Sequence, residues 1–148
     1  MEIRPYRTDD CPALAELFFH TVHTVNRRDY TQTEVEAWAD GCVDIGRWNQ
    51  TFLASRTLVA VVDGQITGFA NIHPSGYLDM LYVHRDFQCR GIATALCSAL
   101  ETGFSHVITH ASRTAKPFFL QRGYRLLRSQ QVERHGVWLE NFIMELRR

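Results

Sequence analysis

The chain has 148 residues, and its 16 Lys and Arg balance 16 Asp and Glu. At about 100–200 residues per domain this length makes one domain, and a zero formal charge disfavours nucleic acid and anionic membrane as partners, since both need a basic field. A hydrophobic fraction of 45% with 9 Phe, 5 Tyr and 3 Trp describes a globular chain whose function resides in a pocket or a small interface. From the N-terminus, Ile3 to Tyr6 is a short strand, and Thr8-Asp9-Asp10 caps a helix carrying Leu14, Leu17, Phe18 and Val22 at three- and four-residue steps. Thr31-Gln32-Thr33-Glu34 matches a capping box and opens a second helix through Trp38. Between residues 40 and 56 the pattern is weak, with Trp48, Phe52 and Leu53 suggesting a short helical turn.

The middle of the chain is clearer. Thr57 to Val62 and Gln65 to Ile72 read as strands joined by an Asp63-Gly64 hairpin turn. Gly76 to His84 is a third strand. Gln88 to Thr102 reads as a helix with Ile92, Leu96, Ala99 and Leu100 on one face. Val107-Ile108-Thr109 is a short strand, and Ala115 to Gln121 is a short helix stopped at Gly123. Leu126 to Val132 and Val137 to Leu146 are two more strands, hinged at His135-Gly136. Strands and helices so interspersed predict a mixed sheet with helices on its faces.

Cys11, Cys42, Cys89 and Cys97 form no CxxC pair, which predicts reduced thiols and a cytoplasmic compartment. The start, Met1 to Arg7, has no apolar segment of the signal-peptide kind, and no run approaches 18 apolar residues, so the protein is not expected in a membrane. His20 and His23 lie one helical turn apart but have no thiol or acidic partner nearby, so no metal site is expected.

The informative stretch runs from Leu78 to Leu96, a strand followed by a tight loop and a helix start at Gln88-Cys89-Arg90-Gly91-Ile92-Ala93. A helix N-terminus offers unpaired backbone N–H groups and the positive end of the macrodipole. Gly91 and the small Ala93 let a large anion approach that backbone, and Arg90 adds charge at the rim. The segment predicts a pyrophosphate cradle, although it fits neither the Walker pattern nor GxGxxG.

These residues resemble the main motif of the GNAT superfamily of N-acetyltransferases, Gln/Arg-x-x-Gly-x-Gly/Ala after a hydrophobic strand, met here by Gln88, Gly91 and Ala93. Ala115 through Pro117, Phe118 and Phe119 to Gly123-Tyr124 is similar to the family's short helix ending in Gly-Phe/Tyr, and Tyr30 to Trp38, with Ala37-Trp38-Ala39, resembles a bacterial subgroup. The resemblance spans essentially the whole chain. It implies an α/β (α+β) fold with a mixed, mainly antiparallel sheet of about seven strands and about four flanking helices.

It also implies acetyl-CoA as cosubstrate and a small-molecule or peptide amine as acceptor. Backbone groups of the Leu81-Tyr82-Val83 segment would hold the pantetheine arm, with the amides of Cys89, Arg90, Gly91, Ile92, Ala93 and Thr94 holding the pyrophosphate beside Gln88. The N–H near Val83 would polarise the thioester carbonyl. Period two places Tyr77, Asp79, Leu81 and Val83 on one face of their strand. Asp79 is then the candidate base or the anchor for a substrate ammonium; its plain alternative is a carboxylate bonded to neighbouring groups.

Two positions depart from the family pattern. Phe119 stands where many members have a Tyr near the CoA sulfur, and Ser112 stands where an Asn commonly bonds pantetheine. Tyr124 is the phenol nearest in sequence that could replace the acid; its alternative is core packing. By the same resemblance His20, His23, Asn26, Tyr30 and Trp38, together with Tyr77, surround the acceptor, with core packing the alternative for Trp38 and a solvated face for the His pair. Arg85, Arg90 and Arg113 are taken as partners of the CoA phosphates. Trp138 and Phe142 on the last strands offer a surface for a homodimer. The missing Tyr favours one other class, a non-catalytic acyl-CoA-binding module that regulates a partner protein.

Overall fold

A computed structural model describes residues 1–148. A seven-stranded sheet runs β1-β2-β3-β4-β5-β7-β6, with β1 Glu2–Pro5, β2 Arg56–Val62, β3 Gln65–Ile72, β4 Tyr77–Val83, β5 His106–Ala111, β6 Arg125–Arg134 and β7 Val137–Arg147. Every neighbouring pair is antiparallel except β4 with β5. This is the expected α+β class with a mixed, mainly antiparallel sheet, and there are five helices rather than four: α1 Cys11–Thr24, α2 Gln32–Trp38, α3 Ile45–Ala54, α4 Ile92–Glu101 and α5 Lys116–Gln121. No helix is long and apolar enough to cross a membrane.

Strands β2 and β3 are buried on both faces, so their residues serve two cores in alternation. Leu58, Ala60, Ala70 and Ile72 pack against Ile92, Leu96 and Leu100 of α4 and Phe119 of α5. Val59 and Phe69, which are register partners, face the other way, onto Leu14, Phe18 and Val22 of α1 and Phe52 of α3. Phe52 and Phe69 are essentially inaccessible, and burial of each stabilises the fold by about 1.5–3 kcal/mol.

Local chemistry sets the helix ends. The Thr31 hydroxyl accepts from the Glu34 N–H and the Glu34 carboxylate accepts from the Thr31 N–H, a reciprocal cap for α2. Asp44 caps α3 by accepting from the Arg47 N–H, so the weakly patterned 40–56 region contains a full ten-residue helix rather than a turn. Against expectation, α4 does not begin at Gln88. Arg85–Phe87 forms a short 3-10 turn, Gln88 is extended, and α4 starts only after Gly91.

Gly68 on β3 brings α4 close to the sheet. A Cβ there would lie 3.0 Å from Ile92 Cγ2 and 3.1 Å from the Tyr82 carbonyl oxygen, so any larger residue would push the start of α4 outward. A buried ion cluster fixes the far end of the same helix. Glu101, 2% exposed, accepts from Arg122 Nε at 3.1 Å and from the Tyr124 hydroxyl at 2.6 Å, which ties α4 to the segment following α5.

Candidate active site

The site forms where the sheet opens. Parallel pairing of β4 with β5 is confined to Tyr77–Ile108 and Leu78–Thr109, after which the strands diverge. On the other side of β4, the His84 N–H donates to the Thr67 carbonyl, and the register steps in twos to Tyr82 opposite Phe69. Backbone groups of Leu81 and Val83 therefore point away from β3, into the opening. A cleft of about 460 Å³ fills this opening, with β4 residues 79–83 on one wall, residues 109–112 and Phe118 and Phe119 on the other, and the start of α4 at its end.

A bulge shapes the β4 wall. Asn71 pairs with Met80 and Ile72 pairs with Leu78, which leaves Asp79 as an extra residue. The expected single face of Tyr77, Asp79, Leu81 and Val83 is thereby broken. Leu81 and Val83 join the core on the α4 side, while Tyr77 and Asp79 share the wall of a second chamber with Met80 and Tyr82. The Asn71 side chain repairs the bulge by accepting from the Met80 N–H at 3.0 Å.

Gln88 to Thr94 forms the loop and first turn at the start of α4, where the cradle is expected. Cys89 and Gly91 both have positive φ, +59° and +80°, and Gly91 is the left-handed N-cap of α4. A Cβ on Gly91 would meet nothing within 4 Å, so the space above the unpaired N–H groups of the first helical turn is open to a ligand. Gln88 does not face a ligand with its amide; its Nε2 donates to the Val83 carbonyl at 2.6 Å and pins the loop to the end of β4. Gln88, Cys89, Gly91, Ile92, Ala93 and Thr94 line the cleft. Arg90 lies beside it with its guanidinium 5.0 Å over the Phe87 ring. Arg85 is exposed next to Asp86. Arg113 is committed elsewhere, to Glu140 at 2.9 Å and to the Asp29 carbonyl, which corrects its expected role with phosphates. The mixture of amide-lined walls, open backbone and a helix start fits a long ligand with amides and a pyrophosphate.

The second chamber, about 610 Å³, meets the cleft at Trp38, Asp79, Met80, Tyr82, His110 and Ser112, which line both. Its walls are aromatic, with Phe18, Tyr30, Trp48 and Tyr77. At the junction, His73 Nε2 donates to Asp79 at 3.1 Å, and the His73 ring is stacked on Tyr77 with centroids 5.5 Å apart. Burial and the neighbouring Asp79 push the Tyr77 phenol up to about 12, so it is a neutral donor at ordinary pH. Burial, aided by Arg128, lowers His110 below the usual histidine value against the opposing pull of Asp79.

Other expected site residues fall as follows. The Tyr30 hydroxyl donates to the Glu140 carbonyl and accepts from the Arg113 N–H, so it braces the chamber wall. Asn26 is buried and lines the cleft rather than the second chamber. Ser112 lines both cavities while its hydroxyl accepts from the Ala115 N–H at the start of α5. Phe119 is buried on the cleft wall. His20 and His23 line neither cavity: His20 is exposed beside Glu16, and His23 Nε2 donates to the Ala39 carbonyl, tethering α1 to the end of α2. Tyr124 is 3% exposed and outside both cavities. Burial and the Glu101 carboxylate raise its phenol far above the ordinary range, and its hydroxyl, bonded to Glu101 and outside both cavities, does not reach a ligand as proton donor. Sequence reasoning missed His73 and His110. The signal for His110 was the strand Val107-Ile108-Thr109, which continues two residues further, to Ala111, and carries that imidazole to the junction.

Comparison with known proteins agrees with this geometry. The model of an acetyltransferase (GNAT) domain matches residues 26–146. The uncharacterized N-acetyltransferase YafP of Escherichia coli (strain K12) is 34% identical over 144 residues, covering 97% of this chain and 94% of that protein. A GCN5-related N-acetyltransferase from Rhodopseudomonas palustris superposes with a TM-score of 0.93 at 32% identity, over 99% of this chain and 94% of the other. The fold is also shared with the PaiA N-acetyltransferase of Thermoplasma acidophilum, solved in complex with coenzyme A, at a TM-score of 0.78 and 17% identity over 99% and 98% of the two chains. A family match over most of the length and relatives above 30% identity establish that the chain belongs to the GNAT family of N-acetyltransferases.

Proposed function

We propose that the protein transfers an acetyl group from acetyl-CoA to a primary amine by direct attack in a ternary complex. The observation that carries this reading is the junction itself: a cleft with free β4 backbone and a helix start at one end opens, at Asp79, into a separate aromatic chamber. Acetyl-CoA supplies the activated thioester. The Leu81 and Val83 backbone groups bind its pantetheine amides, and the amides from Cys89 to Thr94 bind its pyrophosphate. The β4 N–H that faces the cleft nearest the Asp79 junction, that of Leu81, is the donor that polarises the thioester carbonyl, while Val83, two residues nearer α4, is bonded through its carbonyl to Gln88. Asp79 holds the acceptor ammonium at the junction, and Trp38, Tyr30 and Tyr77 enclose the acceptor's body.

With Phe119 on the cleft wall and Tyr124 bonded to Glu101, neither supplies an acid; the CoA thiolate is a fair leaving group and takes its proton without a dedicated phenol. The same absence favours a second reading, an acyl-CoA-binding module that does no chemistry. One experiment separates them. Isothermal titration of CoA is expected to show binding, and free-thiol release over a panel of peptide N-termini, lysine, polyamines and aminoglycosides is expected to show turnover with at least one amine. Binding without turnover on any amine assigns the sensing role; no CoA binding removes both readings.

A further inference from the structure

The β4–β5 ladder ends at Leu78–Thr109, and Asp79 and His110 are the next residues on the two strands as these diverge. Both line the cofactor-side cleft and the acceptor chamber. They differ in what already holds them. The Asp79 carboxylate accepts from His73, whose ring is stacked on Tyr77. His110 sets its ring against Tyr77 with centroids 5.1 Å apart, and its one polar contact is a 3.4 Å approach of the Gln130 carboxamide to Nδ1. At 3.4 Å this contact from Gln130 Nε2 is too long to hold the ring in one tautomer, and a neutral imidazole keeps a lone pair on one of its two nitrogens.

We propose that His110 is the catalytic proton acceptor of this site, taking the proton of the amine that Asp79 anchors. The assignment rests on the acetyltransfer reading above. The neutral imidazole removes one proton from the ammonium, giving the free amine and an imidazolium. The amine nitrogen forms the C–N bond with the acetyl carbon as the C–S bond breaks and its electron pair leaves on sulfur. A second amine proton neutralises the thiolate, and the imidazolium releases its proton to solvent. The sum is ammonium plus thioester giving amide, thiol and one proton.

The groups facing His110 account for its neutral state. On β4 they are Asp79, which favours the imidazolium, and Tyr77, a neutral phenol; on β6 they are Arg128, which opposes it, and the uncharged Gln130; on β7 its register partner is Ile143. His73 reaches it only through Asp79 and Tyr77. Partial desolvation and Arg128 together outweigh Asp79 although the side chain reaches solvent, so the ring is available as a base near pH 7, where a carboxylate is a weak one.

Two measurements test this. In the free protein, an NMR titration of the imidazole carbons, with the resonance assigned by His110→Gln, should place His110 below the ordinary value of about 6.5 and lower still in Asp79→Asn. In turnover, His110→Gln should lose about 100-fold in kcat and the ascending limb that the wild type shows at the pKa measured by NMR, with CoA affinity by titration unchanged. A His110→Gln enzyme within threefold of wild-type kcat, or a wild-type His110 titrating at or above the ordinary value, overturns the assignment and leaves acetyl transfer intact. A wild type that releases no thiol with any amine overturns acetyl transfer and this assignment with it.

Discussion

Gly91 offers the sharpest test of the cradle because its two functions separate. Its φ of +80° is a left-handed conformation, and a Cβ added there meets nothing within 4 Å. Gly91→Ala therefore costs only the conformational term, about 1–2 kcal/mol. At about 2.1 cal/mol/K per residue the melting entropy of 148 residues is near 0.31 kcal/mol/K, so Tm should fall by about 3–6 °C. Any larger loss in CoA affinity then reports the methyl group standing in the ligand's space. Gly91→Glu carries the same conformational cost and adds a carboxylate; a like-charge pair at about 5 Å with an effective dielectric of about 20 is worth about 3 kcal/mol, or over 100-fold in Kd. Melting curves and isothermal titration with CoA read the two terms, and inhibition by pantetheine, which lacks the pyrophosphate, should be nearly unchanged. A Gly91→Glu protein that melts a few degrees early yet binds CoA with wild-type affinity would refute the placement of the pyrophosphate.

Glu101→Gln leaves the Arg122 guanidinium without its charge partner in the core; breaking such a buried pair costs about 3–5 kcal/mol, so Tm should drop by about 10–15 °C, and a drop under about 3 °C would mean the cluster adds little. Asp79→Asn should raise KM for the amine about tenfold or more, as a charge-assisted hydrogen bond of about 1.5–3 kcal/mol is lost, with CoA affinity unchanged; equal amine KM values would remove the anchor. Glu145, held down to about 2 by Arg125, His106 and Arg147, sits below its ordinary value of 4.5. A depressed carboxylate adds stability that is complete above the ordinary value and is lost as pH falls toward the folded one. Urea midpoints should thus decline between pH 4.5 and 2 more steeply in the wild type than in Glu145→Gln; parallel curves would show that the ring of cations contributes nothing.

Local signals carried most of the fold. Asp63-Gly64 and His135-Gly136 marked hairpins whose turns have positive φ at both residues, and Thr31 to Glu34 marked a cap that forms as drawn. The left-handed glycine before α4 was legible too, because a glycine before a helix has one backbone reason for its place. What escaped was long-range. Asp79 is a bulge because Asn71, eight residues earlier on β3, supplies the compensating acceptor, and no period-two count along one strand contains that partner. Tyr124 looked like a candidate acid until Glu101, a residue on another element, engaged its hydroxyl as a hydrogen-bond acceptor in the core. The helix over Ile45–Ala54 was hard to read because Phe52 is its one buried residue, so its apolar stripe is narrow.

The divergence of β4 from β5 also sets how the backbone meets solvent. A central strand of a seven-stranded sheet ordinarily holds the amides that exchange most slowly with deuterium. Here that strand is split by parity: the Tyr82 and His84 amides face β3, whereas those of Leu81 and Val83 face the cleft. Alternate residues of one continuous strand should therefore exchange at very different rates in the free protein. The pattern gives a residue-by-residue readout of occupancy, in which a ligand that lies along the strand slows only the odd-numbered pair.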